Sequence, residues 1–244
     1  MSLLRLESVS RSFWRGTTEI RVLRDVSLEV GTGDFVAVYG QRNAGKTTLL
    51  KVAAGFEPVD AGRVTLHGDD LGRMSRRRFA RLHRDQIGWV EHAGPRSYGL
   101  SMRAYVAMPL LGEMGATEAQ RRAGSTLADV GAEDCSDRQW DELSDAARML
   151  VAIAHALVRR PDVLIVDDPT VGLGMSDRDL VIGLLRQTAD DHGVGILMAV
   201  PDMPAMVYAD RVHSLGRGRL VSPAGSPARD RDNILEFPGG RGTA

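Results

Sequence analysis

Phe35-Val36-Ala37-Val38-Tyr39, followed directly by Gly40-Gln41-Arg42-Asn43-Ala44-Gly45-Lys46-Thr47-Thr48, decides the fold. The first five residues form a continuous apolar run, as expected of a strand buried on both faces. Gly40–Gly45 reads as a loop, and Lys46 to about Ala54 as a helix that Gly55 and Pro58 end. A strand before and a helix after are the context in which G-x-x-x-x-G-K-[ST] is a phosphate-binding loop rather than a chance match in a glycine-rich turn. Glycines let backbone N–H groups wrap phosphate oxygens, and the helix N-terminus adds its positive dipole end. Lys46 is placed to reach the β- and γ-phosphates, and the Thr47 hydroxyl to ligate Mg²⁺.

A second half-site follows from that chemistry. A carboxylate at the end of a buried strand is needed to hold Mg²⁺ through water. Val163-Leu164-Ile165-Val166-Asp167 is such a strand, which makes Asp167 the metal-linked carboxylate. Other strands are expected up to about Val30, at Arg63–His67, Ile87–Val90 and Gly195–Val200. Helices are expected from Ser75 to about His83, across Ser101–Trp140 with a break at Ala107-Met108-Pro109, at Ser144–Arg160 with Ser144 as N-cap, and at Asp177–Asp190. Alternation of buried strands with helices predicts an α/β fold around a largely parallel sheet.

Composition narrows the class. The chain has 244 residues, 43% hydrophobic and 26% charged, as in an ordinary globular domain. Its formal net charge of −1 supplies no global field for nucleic acid, so no nucleic-acid partner is expected. Cys135 is the only cysteine, which excludes an internal disulfide and fits a reducing compartment. No apolar run reaches the roughly 18 residues a membrane span needs, so work at a membrane requires another chain to cross it. The N-terminus lacks a signal-peptide pattern. The segment from about Ser222, here residues 223–244, is rich in Pro, Gly, Arg and Asp and is expected to be loosely ordered.

Several motifs in order carry a family resemblance. Asp167-Asp168-Pro169-Thr170 resembles the D-E-P-T that ends the second half-site in ABC ATPases. Leu143-Ser144 followed by Val151-Ala152-Ile153-Ala154-His155-Ala156-Leu157 is similar to that family's L-S-G-G-Q-x-Q-R-V-A-I-A-R-A-L stretch. Asp25-Val26-Ser27-Leu28 and Val106-Ala107-Met108-Pro109-Leu110-Leu111 are similar to its macrolide-exporter and lipoprotein-release branch.

The resemblance, over about residues 3–222, implies a P-loop NTPase (RecA-like) core with an antiparallel β subdomain (about 1–92 and 160–222) and a helical subdomain (about 93–159). It implies ATP and Mg²⁺ as cofactors, an integral-membrane permease as partner, and a peripheral place on the cytoplasmic face of the membrane. Two such domains would enclose two ATP molecules head to tail, the phosphate loop of one facing the L-S-G-G-Q of the other. Phe13 takes the place of the aromatic that stacks on adenine, with Trp14 its neighbour; ordinary packing in the β subdomain is the alternative for both.

The departures from the family pattern fall at the chemistry. The catalytic glutamate is Asp168 here, one methylene shorter. The switch histidine falls at Pro201, which has neither imidazole nor N–H. The glutamine that touches Mg²⁺ and the attacking water aligns with His92, and the D-loop aspartate with Gly174. L-S-G-G-Q reads Leu143-Ser144-Asp145-Ala146-Ala147, and the loop's usual Ser-Gly reads Arg42-Asn43. Asp145 either sets a carboxylate where a partner's γ-phosphate would sit or turns away to cap its helix. Asn43 tolerates left-handed backbone, and Arg42 adds a cation. The expected function is therefore an ATP-binding subunit with impaired hydrolysis, paired with a different and more active ATPase subunit rather than with itself. A non-hydrolytic regulator and a soluble ribosome- or DNA-acting protein are the competing classes; a single nucleotide domain argues against the latter. A basic run of Arg73, Arg76, Arg77, Arg78, Arg81 and Arg84 reads as a solvated helix face, with a nucleic-acid or lipid-headgroup patch as the alternative.

Overall fold

The computed structural model describes residues 2–91, 99–201 and 207–221. Strand β1 (Ser2–Arg15) turns at Gly16 into β2 (Thr18–Gly31), and the two pair antiparallel with Leu6 opposite Leu28 and Phe13 opposite Ile20. Leu4, Leu6 and Val9 face inward with Val26, Leu28 and Val30, the period of two that half-buried strands require. β4 (Ala61–Leu66) and β5 (Asp69–Asp70) complete an antiparallel sheet of order β2-β1-β4-β5.

The other sheet has the order β10-β9-β3-β8-β7-β6. Its strands are β3 (Phe35–Tyr39), β6 (Ile87–Glu91), β7 (Val163–Asp167), β8 (Gly195–Val200), β9 (Arg211–Gly216) and β10 (Arg219–Val221). All neighbours are parallel except β9 and β10. The α/β fold with a largely parallel sheet is as the sequence predicts. Continuous apolar runs were needed because alternate residues of each strand enter different cores. Phe35, Ala37, Leu164, Val166, Ile196 and Met198 pack with the helices α3 (Met102–Ala107), α4 (Ala116–Asp129), α5 (Asp145–Leu157) and α6 (Met175–His192). Val36, Val38, Val163, Ile165, Leu197 and Ala199 pack on α1 (Lys46–Ala53) and the antiparallel sheet. Helix α2 (Arg76–Gln86) is capped by Ser75, whose hydroxyl accepts from the Arg78 N–H at 3.3 Å.

Some boundaries differ from the sequence reading. α6 starts at Met175 and runs to His192, where Gly193 closes it in the left-handed conformation (φ 67°). α5 stops at Leu157, short of Arg160, which itself adopts φ 58°. The expected helical stretch over 101–140 is α3, a 3₁₀ turn at Met108–Leu110 carrying Pro109, α4, and two further short turns. β9 and β10 were not foreseen. Their arginine, histidine and serine hide the apolar pattern, and β9 gains its place by pairing with β3, where Val36 lies opposite Arg211 and Tyr39 opposite Ser214.

Arg186 on α6 ties the start of β3 to its surroundings. Its buried guanidinium donates to Asp210 at 2.8 Å, to Asp190 and to the Gly33 carbonyl at 3.0 Å, while Asp210 accepts from the Phe35 N–H at 2.7 Å. In the helical segment, His155 of α5 stacks on Tyr105 of α3, with ring centroids 4.4 Å apart and planes 9° apart. Burial holds the imidazole down to about 4. An unfolded histidine takes up its proton near pH 6.5, so the unfolded state binds more protons between these limits. Stability is expected to fall as pH drops from 6.5 to 4, by as much as about 3 kcal/mol from this residue. His155→Phe should flatten that part of the slope in urea melts across this range.

Candidate functional site

The parallel register brings the carboxyl ends of four strands to one edge. Tyr39 lies opposite Val200, Ala199 opposite Asp167, and Asp167 opposite Glu91. Ligands of open α/β sheets gather at this edge, because the loops there are free to differ while the strands hold them in place.

The loop after β3 is shaped by sterics. Gly45 has φ 102°, and a Cβ there would stand 2.8 Å from Val22 Cγ1 and 3.2 Å from the Val22 carbonyl oxygen. At Gly40 a Cβ would meet the Leu215 carbonyl oxygen at 2.7 Å and Ala44 Cβ at 3.1 Å. Asn43 is also left-handed, at φ 65°, which asparagine tolerates where most side chains do not. The Ala44 N–H donates to the Gln41 carbonyl at 3.1 Å and closes the turn. Leu49 is the first residue to donate within α1, to the Gly45 carbonyl at 2.8 Å. The N–H groups of Lys46, Thr47 and Thr48 therefore lie in the helix's first turn, where intrahelical acceptors are lacking.

Lys46 is 7% exposed, and its ammonium donates to the Gly40 carbonyl at 2.9 Å and to the Gln41 carbonyl at 3.5 Å. A desolvated cation held by neutral carbonyls alone is costly, and an anion in the loop would compensate it. Thr47, Arg42 and Asn43 are exposed and Thr48 is half-buried. These residues fit a triphosphate: a cradle that side chains at Gly40 and Gly45 would fill, first-turn amides, a buried ammonium and an accessible hydroxyl for Mg²⁺. Gln41 was not singled out in the sequence, since only the fold shows its carbonyl meeting Lys46.

Asp167 ends β7 half-buried, and Asp168 follows it, also half-buried, in the left-handed region at φ 46°. The Asp168 N–H donates to Ala199 O at 3.1 Å and its carbonyl accepts from the Val171 N–H at 3.3 Å. Pro201 follows β8 at the same edge and is exposed. His92 lies outside the described residues; Glu91, just before it, is paired opposite Asp167. Phe13 lies toward the tip of the β1–β2 hairpin, 37% exposed, with the Arg11 guanidinium 4.8 Å over its ring. Trp14 is 72% exposed. Gly174 precedes α6 as an N-cap with no side chain to offer, and its carbonyl accepts from Arg178 N–H at 3.0 Å.

The Leu143–Ala147 segment opens α5. Leu143 is buried, and the Ser144 hydroxyl accepts from the Ala147 N–H at 3.2 Å. Ser144, not Asp145, therefore caps the helix, which corrects the capping alternative for Asp145. Asp145 sits in the first turn, its side chain 70% exposed, and accepts from Arg148 at 3.2 Å. Arg148 also donates to the Trp140 carbonyl at 3.1 Å and lies 5.8 Å over the Trp140 ring. Ala146 is buried and Ala147 half-buried.

A glycine-framed cradle at the carboxyl edge of a parallel sheet, with a buried lysine at its mouth, defines a nucleotide-binding protein of the P-loop class. A profile of the ABC transporter family matches residues 23–171, and the chain belongs to that family, as an ATP-binding domain. It is 34% identical over 221 residues to the methionine import ATP-binding protein MetN 1 of Rhodococcus jostii, covering 90% of this chain and 65% of that protein. It is 34% identical over 224 residues to the lipoprotein-releasing system ATP-binding protein LolD of Chromohalobacter salexigens, covering 91% and 94%. A match at 28% identity to the macrolide export ATP-binding/permease protein MacB of Neisseria gonorrhoeae spans 91% of this chain but 34% of that longer protein. Among solved structures, the dimeric bacterial ABC transporter cassette MJ0796 superposes with a TM-score of 0.83 at 23% identity, over 91% of this chain and 99% of that one. CbiO1 from Clostridium perfringens gives 0.79 at 26% identity, over 90% and 87%. The mixed α/β architecture is that of these cassettes.

Replacing Lys46 by alanine removes the buried cation of the cradle and is expected to weaken ATP binding by about 10²-fold, the scale for losing one partner of a desolvated charge pair. Gly45→Ala should lose binding as well, through the loop rather than through charge. Titration calorimetry with ATP and Mg²⁺ on folded protein reads both.

Proposed function

We propose that this chain is the ATP-binding subunit of a transporter complex, peripheral on the cytoplasmic face of the membrane and coupled to a separate integral-membrane permease. The observation that carries this reading is the buried Lys46 ammonium in its glycine-framed cradle, in a chain of the ABC transporter family. Among the described residues no helix is long and apolar enough to cross a membrane. The relatives named for lipoprotein release and macrolide export support a partner that does. In this reading residues about 1–92 and 160–222 form the core and β subdomain, about 93–159 the helical subdomain, and 223–244 a tail.

ATP would be held by Gly40–Thr48, with Phe13 against the adenine and Thr47 and Asp167 holding Mg²⁺, His92 adding to the metal or the water. In the hydrolytic step, Asp168 would take a proton from the attacking water. Its carboxylate stands one methylene short of a glutamate's reach, and a misplacement of about 1 Å costs about 10²-fold in rate. The backbone at Asp168 supports the substitution: φ 46° is tolerated better by aspartate than by glutamate. Pro201 supplies no group to the γ-phosphate. Asp145 and the alanines at 146 and 147 would face a partner's nucleotide with a carboxylate and methyl groups. Binding is thus retained and turnover reduced, and pairing with a more active ATPase subunit gives one of two composite sites an intact set of catalytic groups. A purely regulatory, non-hydrolytic role is the second reading, favoured by Asp168 and Pro201 together.

The purified chain is expected to bind ATP while turning it over far more slowly than an ordinary ABC ATPase; an ordinary rate would overturn impaired hydrolysis. Asp168→Glu is expected to raise the rate by between about 10- and 10²-fold, less whatever the left-handed backbone costs the longer side chain. Purification from detergent-solubilised membranes should recover a permease and a second, different ATPase chain. Recovery of this chain with only its own copies would refute the mixed pair.

A further inference from the structure

The arginine-rich helix α2 is left unused by the nucleotide site. Arg77, Arg81 and Arg84 fall at i, i+4 and i+7 and make one stripe along it, flanked by Arg76 and Arg78. The opposite side of the helix packs inward through Leu82 and Phe79. Arg78 is engaged by Asp69 at 2.6 Å and Arg84 by Asp85 at 2.8 Å, whereas Arg76, Arg77 and Arg81 are exposed with no ion pair among the described residues. Arg73, 89% exposed, continues the basic surface beyond the N-terminus of α2 and meets Asp70 at 3.4 Å. Phe56, 47% exposed, packs on the side of α2 that carries His83, its ring 4.3 Å from that of His83 and 5.2 Å from that of Trp89.

We infer that this face of α2 rests on anionic phospholipid headgroups, with Arg76, Arg77 and Arg81 over the phosphates. Exposed cationic side chains without ion-pair partners among the described residues are what an anionic surface attracts. The helix surface is convex and short, about 16 Å at 1.5 Å per residue, and so suits a plane better than a groove. Charge also separates the lipid from nucleic acid. The whole chain carries a net charge of −1, so attraction is confined to about a Debye length, roughly 8 Å, from the patch. A subunit already held beside a membrane needs only this short range, because tethering supplies a high effective concentration. A free polyanion would have to be drawn in from solution.

This inference rests on the peripheral membrane placement proposed above, but its test does not require the permease. The full chain is floated with phosphatidylcholine vesicles and with vesicles of phosphatidylcholine and phosphatidylglycerol, at low and high salt. Each arginine near an anionic surface strengthens binding about fivefold, so three account for about 10²-fold. Binding is expected to the anionic vesicles at low salt, and to be lost in R76Q/R77Q/R81Q and at high salt. None of these three side chains makes an ion pair among the described residues, and unchanged ATP binding by the triple variant shows that it has folded. Equal binding to neutral and anionic vesicles, retention in the folded triple variant, or displacement from vesicles by an equimolar RNA duplex would each overturn the inference. If vesicles bind but detergent purification recovers no permease, the headgroup site stands and the transporter assignment falls.

Discussion

Gly45 holds a backbone conformation that β-carbons disfavour, φ 102°, in a space where Val22 Cγ1 and the Val22 carbonyl leave no room for a side chain. That constraint aims the first turn of α1 at the carboxyl edge of the sheet and folds Lys46 back over the loop onto Gly40 and Gln41. Val22 belongs to the antiparallel sheet, and Leu215, which crowds Gly40, to β9. The cradle is thus built between the two sheets, and neither the loop nor the helix alone would hold it in place. Packing on both faces of β3 keeps the strand end still, and the Arg186–Asp210 pair fixes where that strand begins.

At the same edge, the residues proposed for the chemistry hold backbone roles that do not depend on their side chains. Asp168 adopts a left-handed turn that joins β7 to the following segment through Ala199 and Val171. Its backbone bonds are made whatever the side chain. Pro201 ends a strand rather than interrupting one, so its missing N–H leaves no gap in the ladder with β3 and β7. At the head of α5, Ser144 keeps the cap while Asp145, one residue on, takes Arg148 as a partner and adds favourable charge to the helix N-terminus. In the proposed reading, catalytic capacity and fold stability are separable because the groups concerned sit at strand and helix ends.

Legibility in the sequence followed the strength of local pattern. β3, β7 and β8 were readable because strands buried on both faces leave unbroken apolar runs, and α5 because its cap and apolar stripe coincide. The phosphate loop was readable because the steric demands of the cradle leave few residue choices. β9 and β10 were not, since edge strands with arginine, histidine and serine owe their existence to β3. The partner of Asp145 was also hidden, because only the fold shows its carboxylate accepting from Arg148.

The amino-acid sequence by itself determined the phosphate-loop motif, the strand and helix that flank it, and with them the family to which the chain belongs. These are properties of short segments, in which local sterics and chemistry admit few alternatives. Only the tertiary structure decided that Val22 and Leu215 shape the loop, that Asp167, Asp168 and Pro201 share its edge, and that three arginines of α2 stay exposed without ion-pair partners among the described residues. Each of these depends on strands and helices distant in the chain being brought into register. That register is set by burial of both faces of the parallel sheet, a requirement that no single segment carries.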